Sequence, residues 1–284
     1  MSRSAPRVIV HADDFGISKE INDGILQGHC RGILTSASII ANGEAFEHAA
    51  ALARSTPSLD IGVHLTLIEE KPLLSPAKLP TLVNPEGNFH PHVTHFARRY
   101  FTGRINLQEV REELEAQVQK VIAAGLVPSH FDSHQHVHVL PGILNIVLEL
   151  SQKYGVQFIR LPREGGILSK MSGVPIGRVV QAMVLNTFCR MANRRIEERT
   201  DSFSGFLYGG NLNKGNLLNV LKQLPREGTC EIMCHPGLEN SASRYGHWHY
   251  HWSDELNALI DDEIKQFVRN AGIQLVSCRE LQSR

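Results

Sequence analysis

The sequence predicts an α/β fold built on a parallel sheet or barrel. Two observations carry that expectation. Short β-branched runs alternate with segments of three- and four-residue apolar periodicity along the chain, the pattern of repeated βα units. Clusters of titratable residues follow the ends of several strand candidates, where the active sites of such folds lie. At 284 residues and 42% hydrophobic content, the chain is long enough for one large core, so a single domain over 1–284 is expected.

Element by element, a strand over 7–10 precedes a helix over 18–30. A strand over 36–41 and a helix over 44–55 follow, then a strand over 60–67. Residues 71–105 contain Pro72, Pro76, Pro80, Pro85 and Pro91 and little periodicity, so they read as an insertion covering one end of the sheet. The helix over 107–124 is the clearest, with Leu107, Val110, Leu114, Val118, Val121 and Ile122 on one face. Asn106 with Glu109 forms a capping-box-like start, and Gly125 suits the C-terminal stop. Strands over 129–132, 157–161, 203–207, 230–233 and 273–276 alternate with helices over 143–154, 176–195, 217–224 and 253–270 on the same logic.

Composition narrows the function classes. Lys plus Arg equals Asp plus Glu at 29 each, so no summed basic field attracts nucleic acid or anionic lipid, and a small neutral partner is expected. Five cysteines without a Cys-x-x-Cys pair argue for reduced thiols. Residues 1–7 lack a signal-peptide core, and no run of about 18 apolar residues exists. A cytoplasmic protein without a transmembrane segment is the expectation.

The strand ends carry the chemistry. His11-Ala12-Asp13-Asp14-Phe15-Gly16 ends the first strand, His64 lies within or at the end of the third, and Asp132 to His138 follows the fourth. Arg160 ends the fifth, and His235-Pro236-Gly237 ends the seventh. Four histidines and one aspartate fall within the nine residues from His130 to His138, and neutral imidazole is the commonest ligand for a catalytic transition metal. Each motif alone has a plainer reading: an Asx turn at Asp13-Asp14, a hydrogen-bonded core histidine at His64, a turn residue at His235. Jointly those readings would require five coincidences at one sheet end.

Together the motifs Ala12-Asp13-Asp14-Phe15-Gly16, Gly62-Val63-His64-Leu65, Asp132-Ser133-His134-Gln135-His136-Val137-His138, Arg160-Leu161-Pro162 and Cys234-His235-Pro236-Gly237 resemble the YdjC-like (ChbG/HpnK) carbohydrate deacetylases. The resemblance implies a modified (β/α) barrel of the polysaccharide-deacetylase type. It also implies removal of acetyl groups from N-acetylated amino sugars with one divalent metal ion, and a homodimer. Carried over by position, it makes Asp14, His64 and His134 the metal ligands, Asp13 the general base and His235 the general acid.

The chemistry is consistent with that division. Three protein ligands and an open position bind a water, lower its pKa and polarise an acyl oxygen, as amide hydrolysis requires. Adjacent carboxylates on a strand point to opposite faces unless the following turn rotates one back, so Asp13 and Asp14 can divide the work. An acid across the site, with His235 on the far wall, must protonate the departing amine. Arg160, if near Asp13, would keep that carboxylate ionised and oriented. His136 and His138 read as supporting residues and Asp132 as an acceptor from a ligand imidazole. The loop from Arg244 to Trp252 holds both tryptophans; Trp248 offers a face for a sugar ring, while Trp252 suits a buried tether. Two histidines and a carboxylate suit zinc, and magnesium, manganese, cobalt or nickel could occupy the same set. The expected activity is hydrolysis of an N-acetyl group on an amino sugar, oligosaccharide or glycolipid. The alternatives are an O-acetyl ester or phosphoester hydrolase and a non-catalytic sugar-binding relic.

Overall fold

A computed structural model describes residues 5–170, 173–238 and 244–281; residues 1–4 of the N-terminal segment discussed above lie outside them. In chain order the elements are β1 (Arg7–Phe15), α1 (Lys19–Arg31), β2 (Ser36–Ile39), α2 (Phe46–Ser55), β3 (Asp60–Leu65), α3 (Val93–Phe101), α4 (Leu107–Ala123), β4 (His130–Ser133), α5 (Pro141–Tyr154) and β5 (Phe158–Ile159). There follow α6 (Ile167–Lys170), α7 (Ile176–Ala192), β6 (Ser202–Ser204), α8 (Lys214–Lys222), β7 (Thr229–Cys234), α9 (Trp252–Ile260), α10 (Asp262–Asn270), β8 (Gln274–Leu275) and α11 (Cys278–Leu281).

The strands form one sheet in the order β5-β4-β3-β2-β1-β7-β6, with β8 beside β1, and every pairing is parallel. An isolated parallel bridge between Glu164 and Phe203 joins the segment after β5 to β6. The two ends of the strand order therefore meet, and the sheet curls into the expected modified barrel. Val8, Ile9 and Val10 are fully buried in succession, because layers cover both faces of a parallel sheet. That is why the first strand reads as a continuous β-branched run.

Several details differ from the sequence expectation. Within the insertion expected over 71–105, residues Val93–Phe101 form α3. Glu109 does not complete a capping box. Asn106 Oδ1 accepts from the Gln108 amide, but the Glu109 carboxylate accepts from the amide and hydroxyl of Thr81, both at 2.8 Å. Below it on the same face, Glu113 accepts from the amides of Leu73 and Leu74, and Gln117 exchanges hydrogen bonds with the Thr66 backbone. This i, i+4, i+8 polar row ties down the segment after β3, which otherwise has unpaired backbone groups. Finally, the helix expected over 253–270 divides at Asp261, whose extended backbone and carboxylate cap α10 at the amides of Glu263 and Ile264.

β6 stops short of the strand expected to reach residue 207. Gly205 has φ +121°, and a Cβ there would sit 2.4 Å from the Met233 carbonyl oxygen. The chain turns where only glycine fits. Among the described residues, no helix is long and apolar enough to cross a membrane.

Candidate active site

The site lies at the C-terminal ends of β1, β3, β4, β5 and β7. At the end of β1 the register with β2 slips between Ala12 and Phe15, and Asp14 takes φ +66°. Such a conformation is uncommon for a residue with a Cβ and signals a local constraint. Its effect is to part the two carboxylates: Asp13 meets Arg160, whereas Asp14 meets two histidines.

His64 stands opposite Asp132 in the β3–β4 register. Its Nδ1 is 2.9 Å from Asp132 Oδ1 and 3.0 Å from Ser38 Oγ, and the Ser38 hydroxyl donates to Asp132 Oδ2 at 2.9 Å. An ionised carboxylate only accepts, so the neutral ring carries its proton on Nδ1 and leaves the Nε2 lone pair free. That Nε2 lies 3.5 Å from Asp14 Oδ1. Burial works against charge on His64, but the Asp132 carboxylate outweighs it and raises the pKa.

His134 is the first residue beyond β4. Its Nδ1 is 3.2 Å from Asp14 Oδ1 and its Nε2 is 2.9 Å from Glu69 Oε2. Burial again opposes protonation, yet hydrogen bonds to Asp14 and Glu69 bring the pKa up to about 10. Asp14, His64 and His134 offer ligand atoms that all lie within 4.8 Å of one another, and all three are buried. One carboxylate and two imidazoles, one imidazole already oriented by Asp132, fit a divalent ion with positions left open. Among the described residues, two other buried groups of ligand type are occupied by protein partners. Arg160 fills the set of His11, Asp13 and Asp132, while Ser129, His11 and Arg279 engage the set of Asp60, His130 and Cys278.

Arg160 follows β5 and is 1% exposed. Its Nη1 and Nη2 donate to Asp13 Oδ2 and Oδ1 at 2.8 and 2.7 Å, Nη1 lies 2.6 Å from Asp132 Oδ2, and Nε donates to Glu231 Oε1 at 2.7 Å. Burial would raise the Asp13 pKa; the guanidinium overrides it and holds that carboxyl well below the usual range. Nη2 also lies 2.6 Å from His11 Nδ1, which is 3.1 Å from Asp13 Oδ1, and His11 Nε2 lies 2.7 Å from His130 Nε2.

His235 follows β7. Because Ala12 pairs with Cys234, it occupies the strand end adjoining Asp13 rather than a wall opposite it. Its amide donates to Glu255 Oε2 at 2.5 Å, its Nδ1 lies 3.9 Å from the same oxygen without a hydrogen-bond partner, and its ring packs 4.8 Å from that of Tyr250. Gly24 of α1 presses against Gly237, where a Cβ would come within 2.3 Å. This close crossing fixes the turn that carries the imidazole.

Asp13, Asp14, His64, His134, His136 and His235 share one cavity with Arg178, Phe206 and Tyr250. Its free space of about 30 Å³ admits an ion and a water-sized group, not a sugar ring. Arg160, Asp132 and His138 stand behind its wall. His138 joins Ser133 Oγ at 2.7 Å to the Arg160 carbonyl at 2.9 Å, pinning the guanidinium-bearing strand to β4. Trp248 tilts 5.2 Å from the His134 ring and donates its indole N–H to Glu69 Oε1 at 2.8 Å. Trp252 is buried.

Sequence reasoning missed Glu69, Glu231 and Glu255, and gave His11 no role beyond its place in the cluster that ends the first strand. Glu231 carried a signal, a charge inside the apolar run from Cys230 to Met233. His11 shares its strand face with Asp13. Glu69 and Glu255 had none: one follows β3 at φ +69°, and the other reads as an ordinary first-turn acid of a helix.

A family model described as YdjC-like protein matches residues 7–270. The chain is 34% identical to a carbohydrate deacetylase of Brevibacillus brevis, covering 97% of this chain and 99% of that one. It is 31% identical to a chitooligosaccharide deacetylase of Serratia marcescens, over 96% and 98% of the two chains. A crystal structure from Enterococcus faecalis aligns with a TM-score of 0.78 at 28% identity, over 98% of this chain and 99% of that one. With the strand-end motifs in order and the match running nearly end to end, the chain belongs to the YdjC-like family.

Proposed function

We propose that the protein is a metal-dependent carbohydrate deacetylase that hydrolyses the N-acetyl group of an amino sugar and releases acetate. The observation that carries this reading is the meeting, in one buried cavity, of an Arg160-bound carboxylate, a two-histidine, one-carboxylate set and His235. The relatives' names support the substrate class. A divalent ion held by Asp14, His64 and His134 would supply Lewis acidity, acidifying a water and polarising the acyl oxygen.

Asp13 takes the proton of the water that attacks the acetamide carbon. The Arg160 guanidinium holds it ionised and so free to accept a proton, at the cost of lowered basicity. His235, on the neighbouring strand end, delivers a proton to the departing amine. Glu255 fixes the His235 backbone through the amide and stands 3.9 Å from its Nδ1. Arg160 orients Asp13 and balances three buried carboxylates. Acid and base together contribute roughly 10²- to 10⁴-fold.

The test is acetate release from N-acetylglucosamine oligomers and glycolipids, with metal content assayed on the same preparation. Release that disappears on chelation and returns with zinc, magnesium or manganese supports the reading. Absence of release from every member of the panel by metal-loaded protein overturns it.

A further inference from the structure

His134 is held at both ring nitrogens. Its Nδ1 lies on the side of the ligand set, 3.2 Å from Asp14 Oδ1, and its Nε2 lies 2.9 Å from Glu69 Oε2. Glu69 follows β3 at φ +69°, a conformation that is uncommon for a residue with a Cβ and persists where the surroundings impose it. Its amide donates to the His90 carbonyl at 3.1 Å, and its side chain is nearly buried.

The second oxygen of the same carboxylate is engaged by the loop from Arg244 to Trp252. Glu69 Oε1 lies 2.8 Å from His247 Nε2 and accepts from the Trp248 indole N–H at 2.8 Å. Next in the chain, Glu70 Oε1 accepts from the Tyr245 hydroxyl at 2.8 Å and from Arg244 Nη2 at 3.2 Å. Two consecutive carboxylates therefore clasp the start of this loop. Of the two, Glu69 also meets a residue of the proposed ion site.

We infer that Glu69 is a positioning residue for the metal centre, holding His134 with Nδ1 presented to the ion and tying the loop from Arg244 to Trp252 to that ligand. The inference rests on the metal-dependent reading and adds to it a residue that sets ion affinity from outside the ligand set. An imidazole that gives Nδ1 to an ion keeps its remaining proton on Nε2, and a carboxylate there fixes the ring and makes Nδ1 more basic. Losing such a partner weakens metal binding by about 10- to 100-fold. His247, whose side chain is 55% exposed, reaches the site through this carboxylate. Loop and ion are thereby coupled, and the coupling is reciprocal.

Zinc titration of the chelated full-length protein, followed by calorimetry, tests this. Glu69→Gln keeps an oxygen for the loop donors but not the charge, and it is expected to weaken zinc binding about tenfold or more with one ion still bound. His247→Ala, at an exposed position that the fold tolerates, is expected to weaken it about threefold or more. Glu70→Gln loosens the same loop without touching His134 and should leave zinc affinity within about twofold. The visible absorption of the cobalt-loaded protein, which reports the ligand field of the ion, should shift in Glu69→Gln and stay unchanged in Glu70→Gln. Zinc affinity in Glu69→Gln equal to that of the unaltered protein overturns the inference, whether or not acetate is released. Equal losses in Glu69→Gln and Glu70→Gln also overturn it, since loop packing alone would then set the affinity. The expected order of affinities in protein that releases no acetate supports the inference and counts against the deacetylase reading. Absence of zinc and cobalt binding by the unaltered protein overturns both.

Discussion

Arg160 holds Asp13 through two parallel hydrogen bonds, Nη1 to Oδ2 at 2.8 Å and Nη2 to Oδ1 at 2.7 Å, from a position 1% exposed. This bidentate geometry sets the direction of the carboxylate as well as its charge. The same guanidinium touches Asp132 and Glu231. One cation therefore links the proposed base to the carboxylate that orients His64.

Arg160→Lys should lower kcat by at least 10²-fold while the metal is retained, because an ammonium cannot form the fork that aligns Asp13. Arg160→Met removes the charge altogether and leaves three buried carboxylates uncompensated; a loss of about 3–5 kcal/mol in denaturant unfolding is expected. A stable, active Arg160→Met enzyme contradicts this account of the pair.

Glu255→Gln keeps a side-chain oxygen for one backbone N–H but removes the charge facing His235. A fall in kcat of roughly tenfold or more, with KM and metal content little changed, is expected from steady-state kinetics. Glu255→Ala should also destabilise the fold by about 1–3 kcal/mol, since the amides of His235 and Leu212 lose a buried acceptor. Unchanged kcat in Glu255→Gln would mean that the carboxylate serves the backbone alone.

Metal uptake should release a proton. His134 in the ion-free protein has a pKa of about 10, so it is protonated at pH 7, and a ligating imidazole must be neutral. Calorimetry in buffers of different ionisation heat should show net proton release on ion binding, with affinity rising as pH rises toward 10. His134→Ala should bind no metal at this site.

The ion-free protein also gains pH-dependent stability from the contacts of His134 with Asp14 and Glu69. His134 is raised from 6.5 to about 10, so its contribution is complete below pH 6.5 and is lost as pH climbs through 10. Glu69 is lowered from 4.5 to about 2, so its contribution is present above pH 4.5 and is lost as pH falls through 2. Thermal melts of chelated protein should show both losses, and Glu69→Gln should blunt both. Identical pH profiles for the two proteins would contradict the assignment.

The strand ends were legible because buried parallel strands leave continuous β-branched runs, and polar residues at their C-terminal ends stand out against them. Asp13, Asp14, His64, His134 and His235 were each visible in this way, and the structure brings them into one cavity. What escaped was contributed by segments whose partners are distant in sequence. Glu69 reaches His134 across 65 residues, from the turn just before the proline-containing insertion. Glu109, Glu113 and Gln117 look like the solvated face of a helix, yet they bind backbone that lies 28 to 51 residues away. The α9–α10 break was hidden because Asp261 and Asp262 both read as ordinary helix acids, while only the fold makes Asp261 a cap.

The most direct measurement is acetate release by Asp13→Asn, with metal content matched to the unaltered protein. Asparagine keeps the shape of the side chain but not its basicity. The account predicts a full complement of metal and a fall in kcat of at least 10²-fold. Acetate release at the unaltered rate, in protein shown to carry the substitution, would contradict it.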